Sequence, residues 1–465
     1  MYRPVMGLGF LSKRFIIAIA LTVCIIWAIR WRGPELETIR DFAHLSGGNE
    51  DRWMTKRQFV KRALQDDLYV KEYNGTAVRD LCGKTKWQDG IAISCDEIAG
   101  GIGNLKMRLL GCTRYVIEAG AMLITPVIHP RQAFEKMEQS FGWDVDLPLD
   151  YVFDSEHFYE TLAQDCPQLR IVNDTDPTLN IPPKQDAYKL RPNSLVQTSM
   201  GEHVVMDPKG WRPAFDKWVD GTIVKTNGHL LSAQRPVRIS FDEWVQFSWP
   251  NAYDGEEFKN DWGHAARVRQ DIRELSARAL YKLYKKIGCR QSPHAPSKNC
   301  FLGAHVRTEA DAKVEGWDTY ETQMQHAREQ LETHNLSVLY VATGTASDVD
   351  RLKADLKDLT VRVNETHEAD VQVLQKWDLL EEEDMMLMDG FTWDQMALVD
   401  MDIMLRASRF EGIWESSWTW MIALKRHEWS EDTNPFSHQV TFEDGLSKIY
   451  GAAGMQPFIP PTMYL

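Results

Sequence analysis

"FLGAHVR" (residues 301–307), "DTYETQMQHAREQLETH" (318–334), "SVLYVATG" (337–344) and "SDVDRLKADL" (347–356) follow one another with only short connections. The first and third are apolar runs of strand length. The second and fourth carry charge at helical spacing, and Ser347 is placed to cap the fourth. Strand, helix, strand and helix in that order build an α/β unit around a parallel sheet, and such a sheet offers ligands the carboxyl ends of its strands. The first run ends in "HVRTEAD" (305–311). His305 and Arg307 share one face at period two, and a following turn lets Asp311 reach back to them. Arg307 carries the planar fork that grips a diphosphate, His305 can donate to a phosphate or a sugar hydroxyl, and Asp311 can hold either. The same spacing also suits a buried ion pair that only orders the strand end.

Further along, "DQMALVDMDIMLRASRFEGIWESSWTWMIALKRH" (394–427) reads as a helix to about Leu405 and a short strand around Arg409 and Phe410. A tight turn at Gly412 follows, then a second helix opened by Ser416 and Ser417. Serines at a helix start are good caps, and beside free N–H groups they also form a phosphate cradle. Trp418 and Trp420, taken alone, read as core aromatics. Towards the N-terminus, "DEIAGGIGNLKMRLLGCTRYVIEAGAMLITPVI" (96–128) places a Gly-rich loop before a helix and then an apolar strand. Gly100, Gly101 and Gly103 let backbone approach a ligand closely, and a helix start again presents free N–H groups.

A chain of 465 residues most comfortably forms two domains with a cleft between them. The Pro- and Ser-containing "CRQSPHAPSKNC" (289–300) marks the boundary, giving domains at 96–290 and 291–465. With 43% hydrophobic and 26% charged residues the composition is globular. The net charge of -14 argues against a general nucleic-acid binder, so an anionic ligand must meet a local cluster of cations. The acidic run at 381–384 reads as a solvated face.

Before these domains, residues 15–29 are uncharged and flanked by Lys13, Arg14, Arg30 and Arg32. With Trp31 as an interfacial anchor, 15–31 spans about 25 Å as a helix, short for a membrane span but suited to a thin early-secretory bilayer. No small-residue cleavage site follows, so the expectation is a cytoplasmic tail at 1–14, an uncleaved signal anchor at 15–31 and a charge-rich stem at 32–95. Sequons at Asn74, Asn173, Asn335 and Asn364 fit a lumenal glycoprotein, and so do the six cysteines outside the apolar run. The short separations Cys82/Cys95 and Cys289/Cys300 suggest local disulfide loops.

Together the three motif regions resemble the GDP-fucose-dependent O-fucosyltransferase superfamily, particularly its plant and fungal members. The segment 100–104, "GGIGN", is similar to that family's first loop, and "HVRTEAD" to its His-x-Arg motif, with Glu309 and Asp311 as in plant members. "YVATG" looks like the second region, and "ALVDMDIMLRASRFEGIWESSWTW" looks like the third. The resemblance covers about residues 96–430.

It implies a GT-B architecture of two facing Rossmann-like domains, and a metal-independent, inverting transfer of fucose from GDP-fucose to an acceptor hydroxyl, Ser/Thr of a protein or alternatively a glycan. A non-catalytic lumenal GDP-sugar-binding homologue is the other outcome it allows. The apolar run, the sequons and the cysteines lead to the expectation of a single-pass type II protein of the Golgi or endoplasmic reticulum membrane, and the net charge to that of no nucleic-acid partner. By position, Arg307, His305 and Glu309 would be catalytic. Gly101, Gly103, Asn104, Asp311, Asp400, Ser416, Ser417 and Trp418 would hold the donor, with Asp400 on guanine and the serines on phosphate. Two departures stand out. The loop "GGIGN" has no carboxylate to serve as base, which leaves Asp96, Glu97 and Glu309 nearby, and Trp418 stands where many members have Phe.

Overall fold

Strands covered by helices on both faces read as near-continuous apolar runs, as 301–304 and 338–342 do, while Arg409–Ile413 buries Arg409 and Glu411 as well. Leu302–His305, Val338–Ala342 and Arg409–Ile413 are buried along nearly their whole length. The computed structural model describes residues 54–65, 73–96, 98–129, 146–199, 203–226, 228, 230–241, 245, 247–432, 442–451 and 462–464. It is an α/β fold with two main sheets, both within the unit Lys56–Leu465.

The C-terminal sheet runs Gln372–Leu374, Val338–Ala342, Leu302–His305, Arg409–Ile413, Ser447–Tyr450 and Phe442–Glu443, parallel except for the last strand. From Leu302–His305 the chain builds outwards in one direction, then returns to add Arg409–Ile413 on the other side. That reversal opens a crevice at the carboxyl ends of these two strands. One sheet face packs Leu302, Ala304, Leu339 and Val341 against Leu331, Leu352 and Leu356 of the helices Tyr320–His334 and Ala346–Asp355 and the segment that follows. On the other face Gly303 meets Met404 and Ala407, too close to admit a side chain.

The N-terminal sheet follows the same logic: Ile171–Val172, Met122–Ile124, Ile91–Cys95, Val237–Phe241 and Tyr188–Leu190, all parallel. Its order reverses between Ile91–Cys95 and Val237–Phe241, and the chain leaves the first of these strands into the Gly-rich loop. Gly100 has φ +100°, a conformation that needs glycine. The helix Ile102–Ala119 that follows is buried on almost every side and ends on Gly120 in the left-handed region. Tyr151 ties the two halves together, its hydroxyl 2.8 Å from Thr392 Oγ1 and its carbonyl accepting from Gln395 Nε2 at 2.6 Å.

Several expectations change. The N-terminal sheet begins before residue 96, so part of the 32–95 stem is fold. Lys56–Gln65 buries Phe59 against Tyr281 and Tyr284, and Ile91–Cys95 is a central strand. Charge on the outer face of such helices hides the few apolar residues that dock them. Cys82 pairs with Cys166 and Cys95 with Cys112, not with each other, because Cys95 ends a strand facing the helix that follows. Cys289–Cys300 forms as the spacing suggests. Thr345, not Ser347, occupies the cap position of Ala346–Asp355, and Gly412 lies within a strand, not at a turn. The apolar run 15–31 lies outside the described residues, among which no helix is long and apolar enough to cross a membrane. Asn74, Asn173 and Asn335 are exposed.

Peptide mapping without reduction is expected to recover Cys82–Cys166, Cys95–Cys112 and Cys289–Cys300, and a Cys82–Cys95 peptide would contradict the fold. Because Cys82–Cys166 closes a long loop, Cys166→Ala should lower stability by about 2–5 kcal/mol in a denaturant titration.

Candidate active site

The two crevices open on one cavity of about 520 Å³, lined by residues 101–104, His203 and Phe247 from the N-terminal half. From the C-terminal half it is lined by His305, Arg307, Glu309, Asp311, Trp317, residues 341–344, 375–377, Asp400 and 415–418. All eleven residues singled out from the sequence line it: Gly101, Gly103, Asn104, His305, Arg307, Glu309, Asp311, Asp400, Ser416, Ser417 and Trp418.

Two helix starts converge here. A Cβ placed on Gly103 would lie 2.8 Å from Ser417 Oγ and 2.9 Å from the Ser417 backbone carbon, so the Ile102–Ala119 helix touches the Ser417–His427 helix at its first turn. Neither helix is capped by a side chain, since Gly101 has none to offer and Ser416 makes no capping bond. The first N–H groups of both are thus available at one place, each carrying the partial positive charge of a helix N-terminus. The capping role of Ser416 read from sequence gives way to an open cradle.

Arg307 sits beside that cradle, 7% exposed, and is over-determined. Its backbone N–H donates to Gln323 Oε1 at 2.8 Å, and its carbonyl accepts from Gln323 Nε2 at 2.9 Å. Its guanidinium pairs with Glu309 and, at 2.5 Å, with Asp311. The far oxygen of Glu309 accepts from the Gly344 N–H at 2.8 Å, whereas the Asp311 side chain is 39% exposed. Asp311 is therefore the partner that can yield to an incoming anion, and Glu309 the one that stays. With both oxygens engaged, Glu309 is placed to aim the arginine.

His305 accepts or donates at Nδ1 to Thr419 Oγ1, 2.8 Å away, and its ring lies 4.4 Å from that of Trp418. Desolvation first, and the charge of Arg307 second, push its pKa down to about 3. The imidazole is neutral at physiological pH and acts as a hydrogen-bonding group, not a cation. Gly412 makes room for this pair, as a Cβ there would meet Thr419 Cγ2 at 2.7 Å and His305 Cβ at 3.4 Å.

Elsewhere on the cavity wall Asp400, 3% exposed, accepts from the Tyr340 hydroxyl at 2.7 Å and pairs with Lys376. Burial and the Asp400 charge hold the Tyr340 hydroxyl far above its usual range, so it remains a donor. The sequence reading missed Gly344, Lys376 and Glu415, which line the cavity, and Tyr340, which donates to Asp400. Tyr340 is hidden within an apolar strand, and Lys376 lies in a polar stretch with no distinguishing pattern.

No protein-family model and no curated protein matches this chain. Among solved structures, it is similar to that of POFUT1 in complex with GDP-fucose, at 15% identity and a TM-score of 0.43, covering 79% of this chain and 99% of that one. It is also similar to fucosyltransferase NodZ from Bradyrhizobium, at 15% identity and a TM-score of 0.36, covering 72% and 93%. The structure of NodZ alpha-1,6-fucosyltransferase co-crystallized with GDP gives 14% identity and the same TM-score of 0.36.

The contact between the two helix starts can be tested directly. Gly103→Ala must displace Ser417 backbone, and is expected to destabilise by about 1–3 kcal/mol in a denaturant titration. Gly83→Ala, where a Cβ meets nothing within 4 Å, should cause no such loss.

Proposed function

We propose that this chain is an inverting, metal-independent fucosyltransferase of GT-B type, moving fucose from GDP-fucose to an acceptor hydroxyl, Ser or Thr of a protein. The observation that carries the reading is the meeting of Arg307 with two uncapped helix starts in one cavity. A departing nucleoside diphosphate gathers negative charge as the sugar becomes oxocarbenium-like, and a preorganised guanidinium with helix N–H groups stabilises that charge where it develops. On binding, the β-phosphate displaces Asp311 from Arg307 while Glu309, held by Gly344, keeps the fork aimed. The neutral His305 adds a hydrogen bond without competing charge.

Guanine fits the Asp400 end by its chemistry. Its Watson–Crick edge presents two adjacent N–H donors beside a carbonyl acceptor, and a carboxylate paired with an ammonium offers the complementary set. Uracil, with a single N–H between two carbonyls, does not match. The reading also keeps the signal anchor at 15–31 and a lumenal catalytic region in the Golgi or endoplasmic reticulum. Three disulfides and three exposed sequon asparagines support an oxidising, glycosylating compartment.

The test is incubation of the full chain with GDP-fucose labelled in the sugar and with lumenal protein as acceptor, in the presence and absence of EDTA. EDTA-insensitive labelling of protein is expected, lowered about 10- to 100-fold in Asp400→Asn, which removes a charged hydrogen-bond acceptor. GDP binding without any sugar transfer would make the chain a lumenal binding protein instead, and transfer from a UDP-sugar would overturn the donor assignment.

A further inference from the structure

An inverting transfer needs a group to take the acceptor proton, and five carboxylates line the cavity: Glu309, Asp311, Asp394, Asp400 and Glu415. Three of them are committed to strong donors. Glu309 and Asp311 pair with Arg307, and Asp400 pairs with Lys376 and Tyr340. Asp394, 3% exposed, sits in the first turn of the helix Trp393–Leu405 and is engaged by neighbours of its own. Glu415 differs. Its carboxyl is held to Trp414 and to its own backbone, but Oε2 is enclosed without a hydrogen-bond partner among the described residues.

Three positions on, across the start of the Ser417–His427 helix, Trp418 shows the converse. It is 9% exposed, it lines the same cavity, and its indole Nε1–H likewise has no partner among the described residues. A buried polar atom without a partner is costly and rare in a folded chain. Here one acceptor and one donor, on two residues that line the same cavity, lack partners among the described residues. A hydroxyl group, which donates one hydrogen bond and accepts others, satisfies both at once.

We infer that Glu415 is the general base of the transfer, and that Trp418 orients the acceptor hydroxyl by donating to its oxygen. This rests on the GDP-fucose reading above. In the step, the acceptor O–H proton passes to Glu415 Oε2 and an oxygen lone pair forms the new bond to the fucose anomeric carbon. The bond from that carbon to the β-phosphate oxygen breaks, and its electron pair leaves with GDP, whose charge Arg307 and the helix N–H groups receive. Burial, and behind it the charge of Asp318, raises Glu415 above the ordinary carboxylate range, which strengthens it as a proton acceptor. It also accounts for a first loop without a carboxylate, because the base comes from the third motif region instead. The indole at 418 has a use that a phenyl ring could not serve.

The test separates the proton transfer from everything else by changing the nucleophile. GDP release from GDP-fucose is measured for the full chain with water alone and with sodium azide, which attacks as an anion and needs no base. The comparison is wild type, Glu415→Gln and Trp418→Phe, with GDP affinity measured for each. Glu415→Gln is expected to bind GDP as wild type does and to lose release to water by about 100-fold or more, a usual share for general-base catalysis. Azide should restore release in that variant and give fucosyl azide of inverted configuration. Trp418→Phe should lower release to water more than release to azide. Unchanged release to water in Glu415→Gln would overturn the assignment, and so would equal loss with water and azide, which would mark Glu415 as a donor-binding or structural group. A wild type that binds GDP yet turns over GDP-fucose with neither nucleophile overturns the base alone. A wild type that does not bind GDP overturns the donor reading and the base with it.

Discussion

A guanidinium buried at the carboxyl end of a parallel strand is the constraint around which the cavity is arranged. Removing one partner from such a buried pair typically costs about 3–5 kcal/mol, so the charge of Arg307 cannot be left to chance. The chain answers with several unrelated elements. Gln323 of a neighbouring helix clamps its backbone from both sides, Glu309 is fixed by the Gly344 N–H of the next strand's end, and Asp311 closes the remaining side from solvent. The outcome is an arginine whose position is decided before any ligand arrives, with one carboxylate placed to leave. Such preorganisation is what electrostatic stabilisation of a leaving group requires.

The second element of the site depends on absent side chains. Gly101 and Gly103 allow one helix start to abut another, and two sets of free N–H groups face the same space that Arg307 borders. The disulfide Cys95–Cys112 clips the strand leading into that loop onto the helix leaving it, so the approach is held from behind. Sheet topology places both features. Each sheet reverses its strand order beside the strand that carries the motif, so the Gly-rich loop and the His305–Arg307 segment lie where the crevices form.

Much of this was legible in the sequence because the relevant residues are local to strand ends and helix starts. Apolar runs alternating with helical stretches predicted the C-terminal sheet, and His305, Arg307, Asp311, Ser416 and Ser417 stood out as polar residues following buried strands. What stayed hidden depends on partners far along the chain. Tyr340 gains its meaning only from Asp400, and Gly412 from Thr419 and His305 across the sheet. The pairing of Cys82 with Cys166 needs the helix Ser155–Asp165 folded back onto the first helices, which no spacing rule reveals. The segment read as stem misled for a related reason. Its buried face consists of a few residues such as Phe59, Ala63 and Val78 among many charges, so composition described the solvent side alone.

The most direct measurement is calorimetric titration of the full chain with GDP and with UDP, for wild type and Arg307→Lys. The lysine keeps a positive charge for Glu309 but loses the planar fork that grips a diphosphate. The account predicts that wild type binds GDP well above UDP and that Arg307→Lys weakens GDP binding by about tenfold or more while remaining folded. Equal binding of GDP and UDP, or unchanged GDP affinity in Arg307→Lys, would contradict it and leave Arg307 with its two carboxylates as an ion cluster that only orders a strand end.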